Sequence, residues 1–251
     1  MKLLNNQIIK NLRDLLRLKP IYMDTEDIKK SSSVSDAFLW RTENNFKTIF
    51  KFTDLLKFFY KIKNSKVEII FLDKNGKKIK EIKDFKIKTV NEIIIDSKFL
   101  DGIEDYGTFY IFHKTADILN EKIILSNRCY LGFSLNNNLP SFVHGNTYAV
   151  AQEFGSAKKS SNIIKNSFYL NKDYKIQNYF DNFDKVEIFL SNPTSKKVNF
   201  FINEKCYLLE RSCSIMVDVS FLKEINIKSN CYFLRPIIFN WKKEFLDVYH
   251  G

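Results

Sequence analysis

The sequence predicts a mainly β protein of two tandem β-sandwich units, preceded by an N-terminal amphipathic helix. Three observations carry this reading. Short runs in which apolar and polar residues alternate fill most of the chain, the spacing of half-buried strands. Two nearly identical phrases, KVEIIFLDKNGKKI from Lys66 and KVEIFLSNPTSKKV from Lys185, occur once in each half. Each phrase carries turn residues at its centre, Asn75-Gly76 in one and Asn192-Pro193 in the other, so both read as hairpins of an internal duplication.

In chain order, Leu4, Ile8, Leu12 and Leu15 recur at helical spacing, with Ile9 and Leu16 widening the stripe, and Pro20 ends the pattern. This helix is expected to dock its apolar stripe on the rest of the protein or to self-associate. A partner or a membrane surface is the other use of a basic amphipathic helix. KKSSSVSD, Lys29 to Asp36, reads as a polar linker. Strands follow: FKTIFKFTDLL; Val67, Ile69 and Phe71 alternating with Glu68, Ile70 and Leu72; the lysine-rich KKIKEIKDFKIK of an edge or solvent-facing strand; NEIIIDSKFL; and YGTFYIFH, with Phe109, Ile111 and His113 on one face and Thr108, Tyr110 and Phe112 on the other. In the second half SIMVDVSFL stands where EIIIDSKFL stood, and CYFLRPIIF where YGTFYIFH stood. The predicted boundaries are a helix and linker over 1–30, a first sandwich over 31–125, a central connecting segment over 126–165 and a second sandwich over 166–251.

The run VEIFLSNPTSKKVNFFI, then VDVSFL, then SNCYFLRPIIF resembles the strand layout of the small β-sandwich proteins called sensory rhodopsin transducers. The resemblance covers the C-terminal half only. It implies a compact sandwich that takes a small, carbohydrate-like ligand. The chain departs from that family's His-Thr-Arg-Leu-Asp ending and continues NWKKEFLDVYHG, so no site residue is carried over.

A net charge of +11 invites a nucleic-acid partner. Against it, arginine occurs only six times, and arginine is the residue that bidentate phosphate and guanine contacts favour. The abundance of Lys, Asn, Ile and Phe also matches AT-rich coding sequence, so nucleic acid is not the expected partner. No apolar run reaches the roughly 18 residues of a membrane span, and polar residues interrupt any signal-like segment near the start. A cytoplasmic location is expected. Cys129, Cys206, Cys213 and Cys231 form no CxxC pair and read as free thiols, mostly buried.

No catalytic or cofactor motif is present, and no cofactor or metal is expected. The histidines, His113, His144 and His250, have no ligand spacing, although convergence with Asp36, Asp247 or Glu153 would make a metal site. VHGN is the sharpest local feature: Gly145 would let the backbone approach a ligand, His144 could serve as a base and Asn146 as a donor. Trp40 and Arg41 offer a stacking surface and a charged fork. The central segment has no counterpart in the other half, which makes it the better place for function. The expected function is non-catalytic binding of a small polar, carbohydrate-like ligand by Trp40, Arg41, Arg128, His144 and Asn146. One alternative is a hydrolase or metal-dependent enzyme centred on His144. The other is a structural protein whose sandwiches assemble a homo-oligomer.

Overall fold

A computed structural model describes residues 7–16, 28–117, 121–127, 129–145, 148–154, 160–164, 172–176, 183–222, 224–231 and 235–250. It is mainly β, in four-stranded sheets that are antiparallel except where Ser32–Asp36 runs parallel to Ile124–Asn127. Helix α1 (Gln7–Leu15) forms as the periodicity predicts, but Ile8, Leu12 and Leu15 are exposed, so its apolar stripe is not docked as expected. Pro20 and the rest of the predicted linker up to residue 27 lie outside the described residues.

The serine run of the predicted linker is instead a fully buried strand, β1 (Ser32–Asp36). Its small hydroxyls explain why. After a bulge at Ser35/Asp36 the chain continues as β2 (Phe38–Arg41), which pairs with β7 (Tyr106–Lys114). Where β1 swings away, Ser35 Oγ accepts from the Ile111 amide at 2.9 Å and Ser33 Oγ from the His113 amide at 3.0 Å. Two buried backbone donors that lose a strand partner thereby keep an acceptor.

The first sandwich has β2, β7, β4 (Lys66–Asp73) and β5 (Lys78–Lys86) in one sheet, in the order β2-β7-β4-β5. The facing sheet runs β10 (Ser141–His144), β9 (Tyr130–Leu135), β3 (Phe46–Thr53), β6 (Val90–Ile95). Phe38, Phe50, Phe71 and Phe109 fill the space between them, with Phe109 edge-on to Phe50 at 4.8 Å. The predicted central connecting segment therefore supplies β9 and β10 to the sandwich itself, because Leu131 and Phe133 belong to its core. A third sheet, β12 (Ser160–Asn162), β11 (Tyr148–Glu153), β1, β8 (Ile124–Asn127), lies over the other face of β7, where Tyr110 and Phe112 meet Ala149. The faces predicted for Phe109 and Ile111 against Tyr110 and Phe112 are the ones observed.

The second sandwich places β13 (Lys172–Ile176), β18 (Ile225–Ser229), β15 (Val198–Ile202), β16 (Lys205–Leu209) against β17 (Ser214–Asp218), β14 (Lys185–Ser191), β19 (Ile237–Lys242), β20 (Phe245–His250). Its connectivity is that of the first. The order β2-β7-β4-β5 corresponds to β13-β18-β15-β16, and β10-β9-β3-β6 to β20-β19-β14-β17, with every neighbouring pair antiparallel.

That correspondence corrects the sequence-based register. The strand that repeats the β4 phrase, β14, is the counterpart of β3 and not of β4. β4 and β5 form the predicted hairpin, closed by the pairing of Asp73 with Lys77 and by Gly76 at φ +77°. β14 and β15 do not pair; they lie in opposite sheets, so the Asn192-Pro193 turn is an arch across the core. Asn192 holds it, its amide donating to the carbonyls of Lys196 and Leu209 at 2.7 and 2.9 Å. The two phrases look alike because both strands are buried on both faces, which removes the alternation of a one-sided strand.

Double burial of β14 and β19 joins the halves. Val186, Ile188, Leu190 and Ile238 enter the second core, while Phe189, Ile237, Phe239 and Trp241 enter the first. Phe239 stacks edgewise on Phe133 at 5.0 Å and on Phe46 at 6.1 Å, and Tyr106 meets Phe189 at 6.4 Å. The β4–β5 turn docks as well, the Lys74 carbonyl accepting from the Ser214 amide at 2.8 Å.

Gly107 lies opposite Trp40 in the β2–β7 pair, where a Cβ would run into the Leu72 carbonyl that accepts the indole N–H at 2.8 Å. Gly107→Ala should lower the unfolding free energy by about 3 kcal/mol in a urea titration.

Candidate functional site

The side chains proposed from sequence do not form one cluster. Trp40 is fully buried with its indole N–H bonded to Leu72, so neither ring face is open to a ligand. Arg41, 3 % exposed, is an internal cation. Its Nε pairs with Glu43 Oε1 at 2.7 Å and its Nη1 with Glu187 Oε2 at 2.8 Å, on β14 of the other sandwich. The guanidinium carbon lies 4.1, 4.9 and 5.4 Å from the ring centres of Phe46, Phe239 and Trp241. A planar, weakly hydrated guanidinium suits such an aromatic cage better than an ammonium would. Burial pushes the Glu43 carboxyl up, against the lowering pull of Arg41. The fork predicted for a ligand thus holds the two sandwiches together. Arg128 and Asn146 lie outside the described residues.

Gly145 does not leave room for a ligand. A Cβ there would strike Asp36 and Phe38, so it is the protein's own core that approaches the backbone. Beside it Cys129 is buried; burial, with Asp36 adding to it, pushes its thiol well above the ordinary range, which removes thiolate character. His113 is buried, its Nε2 facing the Thr53 carbonyl at 3.1 Å and the Leu55 amide at 3.4 Å. Among the described residues no three His, Cys, Asp or Glu side chains come together to hold a metal ion.

His144 is placed differently. The equivalent edge strands β10 and β20 run side by side, tied by Ser141 Oγ accepting from the Val248 amide at 2.9 Å. At one end of this seam His144 is exposed, 4.8 Å from the Tyr130 ring and 6.3 Å from His250 across it. Arg235 Nη2 lies against the His250 ring, 2.6 Å from Nε2 and 2.9 Å from Nδ1. Burial, then the positive charge of Arg235 and His144, holds His250 below the ordinary histidine range. At the other end a cleft of about 450 Å³ opens between Asn138, Pro140, Ser141, Glu244 and Leu246, with Phe245 77 % exposed on its wall. Five residues of β20 separate Phe245 from His250, which at strand spacing is about 17 Å of continuous edge.

This seam is the candidate site. It combines an open aromatic face, polar rim groups and a basic end, and its volume lies in the usual range for small ligands. A second cleft, of about 440 Å³ near Thr42, Asn45, Asp96, Glu104 and Asn136, is mostly polar, and there Lys47 Nζ already donates to Asn137 Oδ1 at 2.7 Å. Sequence reasoning found His144, weighed its convergence with His250 only as a metal site, and missed Glu244 and Phe245 at the other end of the seam. No spacing links residues 144 and 250; the pairing exists only once β10 and β20 meet.

Arg41→Met should cost about 3–5 kcal/mol of stability in chemical denaturation, because Glu43 and Glu187 stay behind in a dry site. Adding E43Q and E187Q should recover most of the loss. His250 gives a pH signature. Its folded pKa is depressed, so its contribution is present above the unfolded value of 6.5 and is lost as pH falls through the folded one. Stability should decline on acidification below about pH 6.5, with a shallower slope in His250→Gln measured by denaturation at successive pH values.

No protein-family model matches the chain, and no curated protein matches it in sequence.

Proposed function

We propose that this protein is a non-catalytic binding module that takes a small polar, carbohydrate-like ligand along the β10–β20 seam. The observation that carries the proposal is the exposed Phe245 ring standing over a cleft rimmed by Asn138, Ser141 and Glu244. A sugar presents an apolar C–H face and a polar edge, and an aromatic ring flanked by amide and carboxylate groups matches both. The resemblance of the C-terminal half to sensory rhodopsin transducers points to the same ligand class.

Arg235, beside His250 and His144, gives the far end of the seam a positive pole about 17 Å from Phe245, so an acidic oligosaccharide that spans the seam with a carboxylate there should bind better than a neutral one. Binding rather than catalysis is favoured by the surroundings of His144. Its neighbours are an aromatic ring and other basic groups, Ser141 Oγ is engaged by Val248, and Cys129 is buried as a thiol. A general base needs a reacting proton within reach and a nucleophile oriented beside it.

Saturation-transfer NMR with cellotetraose, galactotetraose and tetragalacturonate, each long enough to span the seam, checks this. Transfer to tetragalacturonate is expected with a dissociation constant near 1 mM, or about 4 kcal/mol of binding free energy. Phe245→Ala should abolish the transfer, and the His144 and His250 ring protons should shift during the titration. Absence of transfer from all three sugars, with unshifted histidines, would reject the reading.

A further inference from the structure

Helix α2 (Leu55–Tyr60) leaves three consecutive aromatic side chains in solvent: Phe58 and Phe59 at 61 % exposure and Tyr60 at 42 %. Exposed aromatic surface of this size calls for a partner. The helix is firmly held beneath. Leu56 is fully buried against Ile62, Ile123 and Leu125, Asp54 Oδ1 caps the Lys57 amide at 2.9 Å, and Lys61 closes the other end in a left-handed conformation. The aromatics therefore project from a fixed support and do not trail from a loose loop.

Their setting is basic. Lys57, Lys61 and Lys63 are exposed and, with Phe58, Asp54 and Thr89, line a cleft of about 330 Å³. Among the described residues none of these three lysines has an acidic partner. Asp54 is buried, bonded to Ser65 and to the helix amide, so the exposed charge at the tip has one sign. Val90, next to Thr89, adds further exposed apolar surface.

We propose that this tip docks the protein on an anionic lipid surface, with Phe58, Phe59 and Tyr60 entering the headgroup region and Lys57, Lys61 and Lys63 facing lipid phosphates and carboxylates. Two features favour lipid over a folded protein partner. Successive helical residues point about 100° apart, so the three rings make a blunt knob and not the flat face that a rigid interface fits. Phe and Tyr flanked by lysine is also the composition of interfacial anchors, in which apolar insertion and attraction to anionic lipids add. The site is separate from the β10–β20 seam, and neither reading depends on the other.

The test uses the full chain and vesicles of phosphatidylcholine, with and without phosphatidylserine. Co-sedimentation is expected only with the anionic vesicles. K57Q/K61Q/K63Q should weaken it about a hundredfold, since each surface lysine is worth about fivefold. F58S/F59S should weaken it about tenfold without altering the thermal unfolding of these solvent-exposed positions. Phe59→Trp should shift to shorter emission wavelength on the same vesicles, against the constant background of buried Trp40 and Trp241. The proposal is overturned if the wild-type chain is not retained, if either variant binds as wild type does, or if retained F59W keeps its emission in buffer. It is equally overturned if F58S/F59S turns a dimer into a monomer while the wild-type chain ignores vesicles, which would assign the knob to a second copy of this chain.

Discussion

Strands β14 and β19 are buried on both faces, and the rest of the molecule is arranged around that constraint. A strand between two apolar layers must present large side chains alternately to each, which is how Ile188 and Phe189, or Ile238 and Phe239, serve different cores. Each such side chain taken from water contributes about 1.5–3 kcal/mol, so the shared layer outweighs any single polar contact across it. Arg41 is then a specificity device within an apolar seam. It fixes the rotation of one sandwich on the other by meeting Glu187 and three aromatic rings at once, in a place where an unpaired charge would be costly.

The same constraint produces the candidate site. Once Phe46 and Phe133 seat on Phe239 and Trp241, the equivalent edge strands β10 and β20 are brought side by side, and the groove between them holds side chains from both units. Neither sandwich has the site alone. A ligand along the seam would contact the first unit through Asn138, Ser141 and His144 and the second through Glu244, Phe245 and His250. Its affinity would therefore be coupled to the stability of the joint.

Much of the fold was legible in sequence because local rules decide it. Alternation separated Phe109 and Ile111 from Tyr110 and Phe112, and Asn75-Gly76 announced a hairpin that exists. What escaped was decided at long range. The turn chemistry of Asn192-Pro193 is real, but a turn sets only the reversal of the chain, and whether its arms pair depends on which sheet each joins. Serine at Ser33 and Ser35 reads as a linker until the hydrogen bonds that their hydroxyls accept from the Ile111 and His113 amides are in view. Trp40 and Arg41 read as a ligand-facing pair because an aromatic beside a cation has the same composition whether it faces ligand or core. Strand order repeats between the halves, but the two phrases that suggest a repeat lie on non-equivalent strands, which resemble each other through double burial and not through position.

Native-state hydrogen exchange tests the shared layer most directly. If the two sandwiches are one cooperative body, amides of β3 and β4 in the first and of β15 and β18 in the second should reach the same limiting opening free energy, equal to that of global unfolding. Two separate limits, with β15 and β18 opening while β3 and β4 stay protected, would mean that β14 and β19 do not join the cores, and the seam built on that junction would go with them.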